Sequence, residues 1–387
     1  MLKNKILGII PTLISISIGL SWLVYSLRFL DQGILWDLGI YEKAVQIFNS
    51  GGNAYDTNLY VSKFSGIGHL FIYQPLILRG MAFFGSQLGT FLIVAYVGSI
   101  IFFLLGLGSK RDMWLASFLG FTYCGLGTVA IFSGNVTAFL HLTLIGFLLR
   151  NLNSHQIRFV PFIVAVVLFS LIKPYLIVYL LIPLVTTIGI NTQKKTWLFA
   201  IAAGAIFIGI SAGAAVYFGD EFQAFMTAVK IQTIDKHDLG HGVVMYFYEY
   251  YRSAGSLIYR AYVLHFAILG VVIFMTLWLA KRTHQLSNPQ LALLLYFLLT
   301  IVNPRLKVYD LFPALLALFI FNFSFRQTIV SKLLFLFAFA ISLSQMADTA
   351  LFAHTGILSD PLNAYYLTMG IVFIVALTSL LKSPHRP

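Results

Sequence analysis

From Gly89 to Leu107 the chain reads GTFLIVAYVGSIIFFLLGL, with no charged residue, and Lys110-Arg111 follows close behind. Wound as a helix, an apolar run of about 20 residues spans the hydrocarbon core of a bilayer. The pattern of an apolar run closed by a short basic connector recurs along the 387 residues. Composition agrees: 59% of positions are hydrophobic and 10% are charged, with a mean hydropathy of +0.88. A soluble domain carries about 25% charged residues, so this chain could not coat a water-facing surface. That excludes a soluble globular enzyme and a disordered chain. A disulfide-stapled scaffold is excluded too, because Cys124 is the single cysteine. The apolar runs are continuous rather than alternating in ~10-residue pieces, which excludes a transmembrane β-barrel. The fold class is therefore all-α: a polytopic helical membrane protein forming one integral membrane domain over residues 1–387.

The net charge of +12 could point to nucleic acid, but its distribution points to membrane topology. The basic connectors are Lys110-Arg111, Arg150 to Arg158, Lys194-Lys195, Lys281-Arg282, Arg326 to Lys332 and Lys382 to Arg386. With Lys3 and Lys5 they hold 14 of the 25 Lys/Arg and one acid, Asp112; the other 11 share the chain with 12 acids. This is the positive-inside bias, with both termini cytoplasmic. Membrane lipids are the expected surroundings, and no nucleic-acid partner is expected.

Ile6 to Leu27 is too long for a signal-peptide core and no A-x-A site follows it, so it reads as an uncleaved first span. Residues 28–65 form a polar external loop. Gly66 to Phe84 contains Pro75 and Arg79, and a separate crossing there would break the charge register; it reads as surface-lying or re-entrant. After Gly89–Leu107, the spans are Met113 to Phe132, Gly134 to Leu149, Phe159 to Ile172, Pro174 to Ile190 and Trp197 to Phe218. A long external loop, 219–260, precedes Ala261 to Ala280, Pro289 to Val302, Val308 to Phe323, Leu333 to Phe352 and Leu362 to Leu381. The total is about 12 transmembrane helices, in a range of about 11–13.

Phe159–Ile172 and Pro289–Val302 fall short of the ~20 residues of a full crossing. Such helices can end below the surface where they open into a protein-lined, wet cavity. At their ends stand Lys173-Pro174 and Asn303-Pro304-Arg305-Leu306-Lys307. Cations at membrane depth cost about 2.5–3.5 kcal/mol each on insertion scales, so they mark a site for anions. Snorkelling to the outer headgroups is the other reading.

The first external loop carries Trp36-Asp37-Leu38-Gly39-Ile40-Tyr41-Glu42-Lys43-Ala44, then Gly51-Gly52-Asn53-Ala54-Tyr55-Asp56. Asp37 heads an amphipathic pattern (Leu38, Tyr41, Ala44, Val45, Phe48) that Gly51-Gly52 stops, giving a short helix lying in the interface. An aspartate there can be a helix N-cap. It can also be a carboxylate held at the membrane face to take a proton from an attacking hydroxyl.

This loop resembles the first external loop of glycosyltransferase family 87, polyprenyl-phosphate-sugar-dependent enzymes of the GT-C superfamily. Later stretches follow that family's order. Phe71-Ile72-Tyr73-Gln74-Pro75-Leu76 resembles its Tyr-Pro-Pro-Leu segment, and Ser133-Gly134-Asn135-Val136-Thr137 its Gly-Gln step. Leu171-Ile172-Lys173-Pro174 resembles its Lys-Pro turn, and Asn303-Pro304-Arg305 with Tyr309-Asp310 its late Ser-Pro segment. Departures are Gln74 for a proline, Asn135 for a glutamine, and Tyr309-Asp310 where the family often has a histidine.

The resemblance implies a GT-C-like fold and a membrane hexosyltransferase. Its donor would be a polyprenyl-phosphate sugar, mannose being one candidate, and its acceptor a lipid or glycan on the non-cytoplasmic face. It implies Asp37 as general base. Lys173, Arg305 and Lys307 are the expected phosphate-binding cations, and Tyr41, Tyr73 and Asn135 the candidate sugar contacts. One carboxylate without a second nucleophile predicts inversion. No cofactor and no metal are expected: His237 and His241 lack a third ligand at fixed spacing. His141 and His265, inside apolar runs, read as hydrogen-bonded core groups. The expected location is an integral position in a bacterial inner membrane. The competing class is a transporter or flippase of a lipid-linked sugar or other anion, using the same cations as a relay.

Overall fold

In the computed structural model the described residues are 2–27, 34–60, 70–154, 159–186, 194–232, 258–283, 286, 288–303, 306–324, 332, 333, 336, 337, 370, 373, 374 and 377. Among them there are helices and no strand. In chain order these are α1 (Leu2–Leu27), α2 (Trp36–Asn49), α3 (Pro75–Phe83), α4 (Leu88–Leu107), α5 (Arg111–Thr122), α6 (Leu126–Ser133) and α7 (Val136–Ser154). Then follow α8 (Val160–Ile172), α9 (Leu181–Thr186), α10 (Lys194–Lys230), α11 (Ile258–Thr283), α12 (Asn288–Ile301) and α13 (Val308–Phe323).

Apolar side chains face both ways. α12 and α13 are packed throughout, with Leu293 to Phe297 and Leu315 to Phe321 buried. On α4 the outward residues are also apolar: Val94 is 66% and Leu105 is 65% exposed. α10 and α11 show the same outer faces, with Ile208 66% and Phe274 67% exposed. A water-soluble monomer does not tolerate such continuous apolar surface, whereas lipid tails match it. Three stretches, Pro75–Leu107, Lys195–Lys230 and Arg260–Lys281, are long and apolar enough to cross a membrane. Shorter apolar helices, including Val136–Asn151, Val160–Ile172, Pro289–Ile301 and Tyr309–Phe323, surround them. The protein is a helical, membrane-embedded bundle. Spans expected over 333–352 and 362–381 fall largely outside the described residues.

Several boundaries differ from expectation. Met113–Phe132 is not one straight span: α5 and α6 meet at a 75° bend. The reason is local, since Gly125 takes φ +68 between them, a left-handed backbone that glycine adopts without strain. Pro174–Leu180 winds as a 3-10 turn before α9 rather than starting an α-helix. α10 runs past the expected end at Phe218, kinks at Gly219 (φ 36, ψ −101) and continues to Lys230, so the long loop after it opens as helix. α3 joins α4 through a 3-10 turn at Gly85–Gln87. The joined stretch has 33 residues, enough for one crossing and short of the ~40 that two would need.

Candidate active site

The head of α2 rests on the turn between α6 and α7. Leu35 N–H donates to the Phe132 carbonyl at 2.7 Å. Leu35 is left-handed (φ 62), a costly state for a branched side chain that the docking must hold in place. Opposite it Gly134 has φ +66, and a Cβ there would lie 3.1 Å from Leu35 Cα, so only glycine lets the two backbones approach. Tyr96 on α4 donates to the Gly134 carbonyl at 2.7 Å and stacks on Phe139 at 3.8 Å, fixing the turn from below.

Asp37 sits in the first turn of α2, two residues inside the N-cap position, which Leu35 occupies. The helix dipole favours a carboxylate there. Its Oδ2 accepts a hydrogen bond from Asn135 Nδ2 at 2.9 Å. Asn135 Oδ1 in turn accepts the Thr137 N–H at 3.0 Å, capping α7. Asn135, expected as a sugar contact, thus holds the carboxylate and starts a helix with the two ends of one amide. Asp37 itself is half-buried.

The expected tyrosines pack beside it. Tyr41, one turn after Asp37 on the same face, places its hydroxyl 2.9 Å from the Tyr73 hydroxyl and 3.3 Å from the Val136 N–H, which donates to it. Burial first, then Tyr73 and Asp37, pushes the Tyr41 phenol well above its usual value, so it stays neutral. Tyr55 donates to the Tyr73 carbonyl at 2.9 Å. Lys173 Nζ lies 4.3 Å from the centre of the Tyr73 ring, a cation–π contact that brings a charge from the turn after α8 to this cluster. The buried Gln74 amide donates to the Leu171 carbonyl, tying the Phe71–Leu76 segment to the Lys173-Pro174 turn.

Lys307 approaches from the turn between α12 and α13. Burial pulls its ammonium down to about 8, while the negative charges of Asp310 and Asp37 act in the opposite direction. The structure therefore gathers Asp37, Asn135, Tyr41, Tyr73, Lys173 and Lys307, residues scattered over more than two-thirds of the chain. Arg305 lies outside the described residues, as do His237 and His241. His265 is buried and its Nε2 stands 3.2 Å from the Val302 carbonyl; it takes no part in the cluster.

Sequence reasoning read His141 as a hydrogen-bonded core group but missed the partners it gathers, the buried Tyr175, Tyr179, Tyr296, Thr300 and Asp310 beneath the site. An apolar groove between helices, which a prenyl tail would need, was expected without a location; the structure has one of about 360 Å³ lined by Phe103, Leu104, Trp114, Phe121, Ile131 and Phe312 among others. Its lining is apolar, and it runs from Ile131, one turn before Gly134, towards Leu107 at the far end of α4. The Phe and Leu excess was the available signal for the groove, but any helical bundle shares it. Against known protein families, curated proteins and solved structures, the chain shows no match.

Proposed function

We propose that the protein is a GT-C-type membrane glycosyltransferase that moves a sugar from a polyprenyl-phosphate donor to a hydroxyl of a lipid or glycan acceptor. The observation that carries this reading is the half-buried Asp37 carboxylate, oriented by Asn135 and facing the charge of Lys307. An accessible base opposed by cations suits one chemistry well: removing a proton from an incoming hydroxyl while negative charge grows on a departing phosphate.

In the proposed step the acceptor oxygen forms a bond to the anomeric carbon as the bond from that carbon to the phosphate oxygen breaks. The electron pair of the broken bond leaves with the prenyl phosphate, where Lys307 and Lys173 offset its charge. The hydroxyl proton passes to Asp37. Attack opposite the leaving group inverts the anomeric centre, and no covalent sugar–enzyme intermediate forms. A phosphate leaving group is already stable as an anion, so the site needs no general acid. The apolar groove below the site supports a lipid-linked donor, because it could take the prenyl tail out of the bilayer. The basic connectors support an external active face, with both termini cytoplasmic in a bacterial inner membrane.

The test is reconstitution of the purified chain in vesicles with radiolabelled polyprenyl-phosphate sugar and a crude lipid acceptor. A new glycosidic bond with inverted configuration is the expected result. Movement of label across the bilayer without a new bond would instead identify a transporter.

A further inference from the structure

Beneath Asp37 a second polar layer lies inside the bundle. His141 is fully buried and Asp310 is 2% exposed. His141 stands on α7 six residues beyond Asn135, about 9 Å deeper along the helix. Its Nε2 meets Asp310 Oδ1 at 3.3 Å and the Tyr175 hydroxyl at 3.0 Å, and its Nδ1 meets the Tyr296 hydroxyl. Tyr175 also donates to Asp310 Oδ1. The Tyr179 hydroxyl, 2.6 Å from Thr300 Oγ1, completes the group. Polar atoms so deep are costly unless paired, and ionisable groups inside a membrane bundle mark function by default. The membership is informative, because it repeats the architecture of the site above. α7 carries Asn135's helix down to His141, the turn after Lys173 carries Tyr175 and Tyr179, and α13 carries Asp310 just past Lys307.

We propose that Asp310 is a positioning residue for Lys307: held by His141 and Tyr175, its carboxylate fixes the turn that bears Lys307 and sets a negative charge beside it. The purpose of this arrangement rests on the transferase reading, in which Lys307 meets the donor phosphate. The geometry divides the carboxylate in two. Oδ1 is taken by Tyr175 and His141, whereas Oδ2 accepts the backbone N–H of Lys307 at 3.0 Å, one arm of a capping box. The N–H groups of Asp310 and Leu311 return to the Lys307 carbonyl at 2.9 and 2.8 Å. The turn is thus anchored to α7 and to the Lys173 turn through a single acid. The ionisable groups around the pair come from each packed element: Asp37 on α2, His141 on α7, Tyr175 and Tyr179 after α8, and Tyr296 on α12. Phenols are neutral below about pH 9. That leaves Asp310 and Asp37, among the described residues, as the negative charges acting on Lys307.

The test reads Lys307 directly, by pulse labelling of the detergent-solubilised full chain with an amine-reactive reagent across pH and peptide mass spectrometry. Half-labelling of the wild type is expected near about 8. Asp310→Asn should lower that midpoint by about one unit or more, the effect of removing a nearby opposite charge. Asp310→Ser, which keeps an oxygen for the Lys307 N–H, should do the same if the amide variant does not fold, and Asp310→Glu should bring the midpoint back. An unmoved midpoint in a folded neutral variant overturns the proposal. No sugar enters this readout. A shifted midpoint in a chain that transfers no sugar would sink the transferase reading alone; transfer with an unmoved midpoint would sink this inference alone.

Discussion

The upper and lower polar layers of the bundle use similar residues to different ends. In the upper layer Asp37 is half-buried, accepts from the Asn135 amide, and lies one helical turn before Tyr41, whose hydroxyl meets that of Tyr73. In the lower layer Asp310 is almost wholly enclosed and shared among Tyr175, His141 and the Lys307 backbone. In the proposed transfer step, a carboxylate that accepts a proton needs access to the reacting hydroxyl. One that must hold a turn needs saturation and dryness. The two acids are separated by environment rather than by residue type.

That contrast can be broken in the upper layer first. Removing both Lys173 and Lys307 as alanines should lower kcat/KM by about 10⁴-fold or more, since preorganised donors to a developing anion are each worth about 10²–10³. The thermal midpoint should change little, because in the proposed site these lysines serve the donor more than the fold; steady-state kinetics beside a melting curve reads both. Next in size is pH. Prenyl-phosphate binding should hold below about 8 and weaken as pH rises through the Lys307 value, about tenfold per unit, because the cation is lost there. Lys307→Arg should abolish that limb, as a guanidinium stays charged; a binding titration at several pH values decides.

Asn135 separates its two duties. Asn135→Asp keeps an oxygen to cap α7 but turns the donor facing Asp37 into a like charge, so transfer should fall about tenfold or more while stability is held. Asn135→Ala should lose transfer and also about 1 kcal/mol of stability with the cap. In the lower layer the order reverses. His141→Leu leaves the Tyr296 hydroxyl and Asp310 short of a buried partner, and should cost about 1–3 kcal/mol in chemical denaturation. The smallest effect belongs to Tyr41→Phe, which removes one acceptor for the Val136 N–H and a bond to Tyr73, for about 1 kcal/mol.

Asp37, Lys173 and Lys307 were legible because each sits on a local signal, whereas Tyr73 and Asn135 entered through the family resemblance. Asp37 heads an apolar periodicity ended by Gly51-Gly52, Lys173 precedes a proline, and Lys307 ends a short apolar run. What stayed hidden depends on distant contacts. The His141–Asp310 pair joins positions 169 apart, and Asp310 was noticed only as a departure from the family pattern. Two misses were local and readable. Ser133-Gly134-Asn135 before an apolar helix is an N-cap signature, and Gly120, Gly125 and Gly127 forewarn of the break between α5 and α6. The span count over the last sixty residues rests on charge and hydropathy alone.

The account turns on the Asp37 carboxylate as the group that takes the acceptor's proton. Single-turnover transfer by Asp37→Asn, with donor affinity measured on the same preparation, tests it most directly. The expected result is donor binding within a few-fold of wild type and a chemical step slowed by about 10²–10⁴. A step of undiminished rate in a variant that binds donor normally would contradict it.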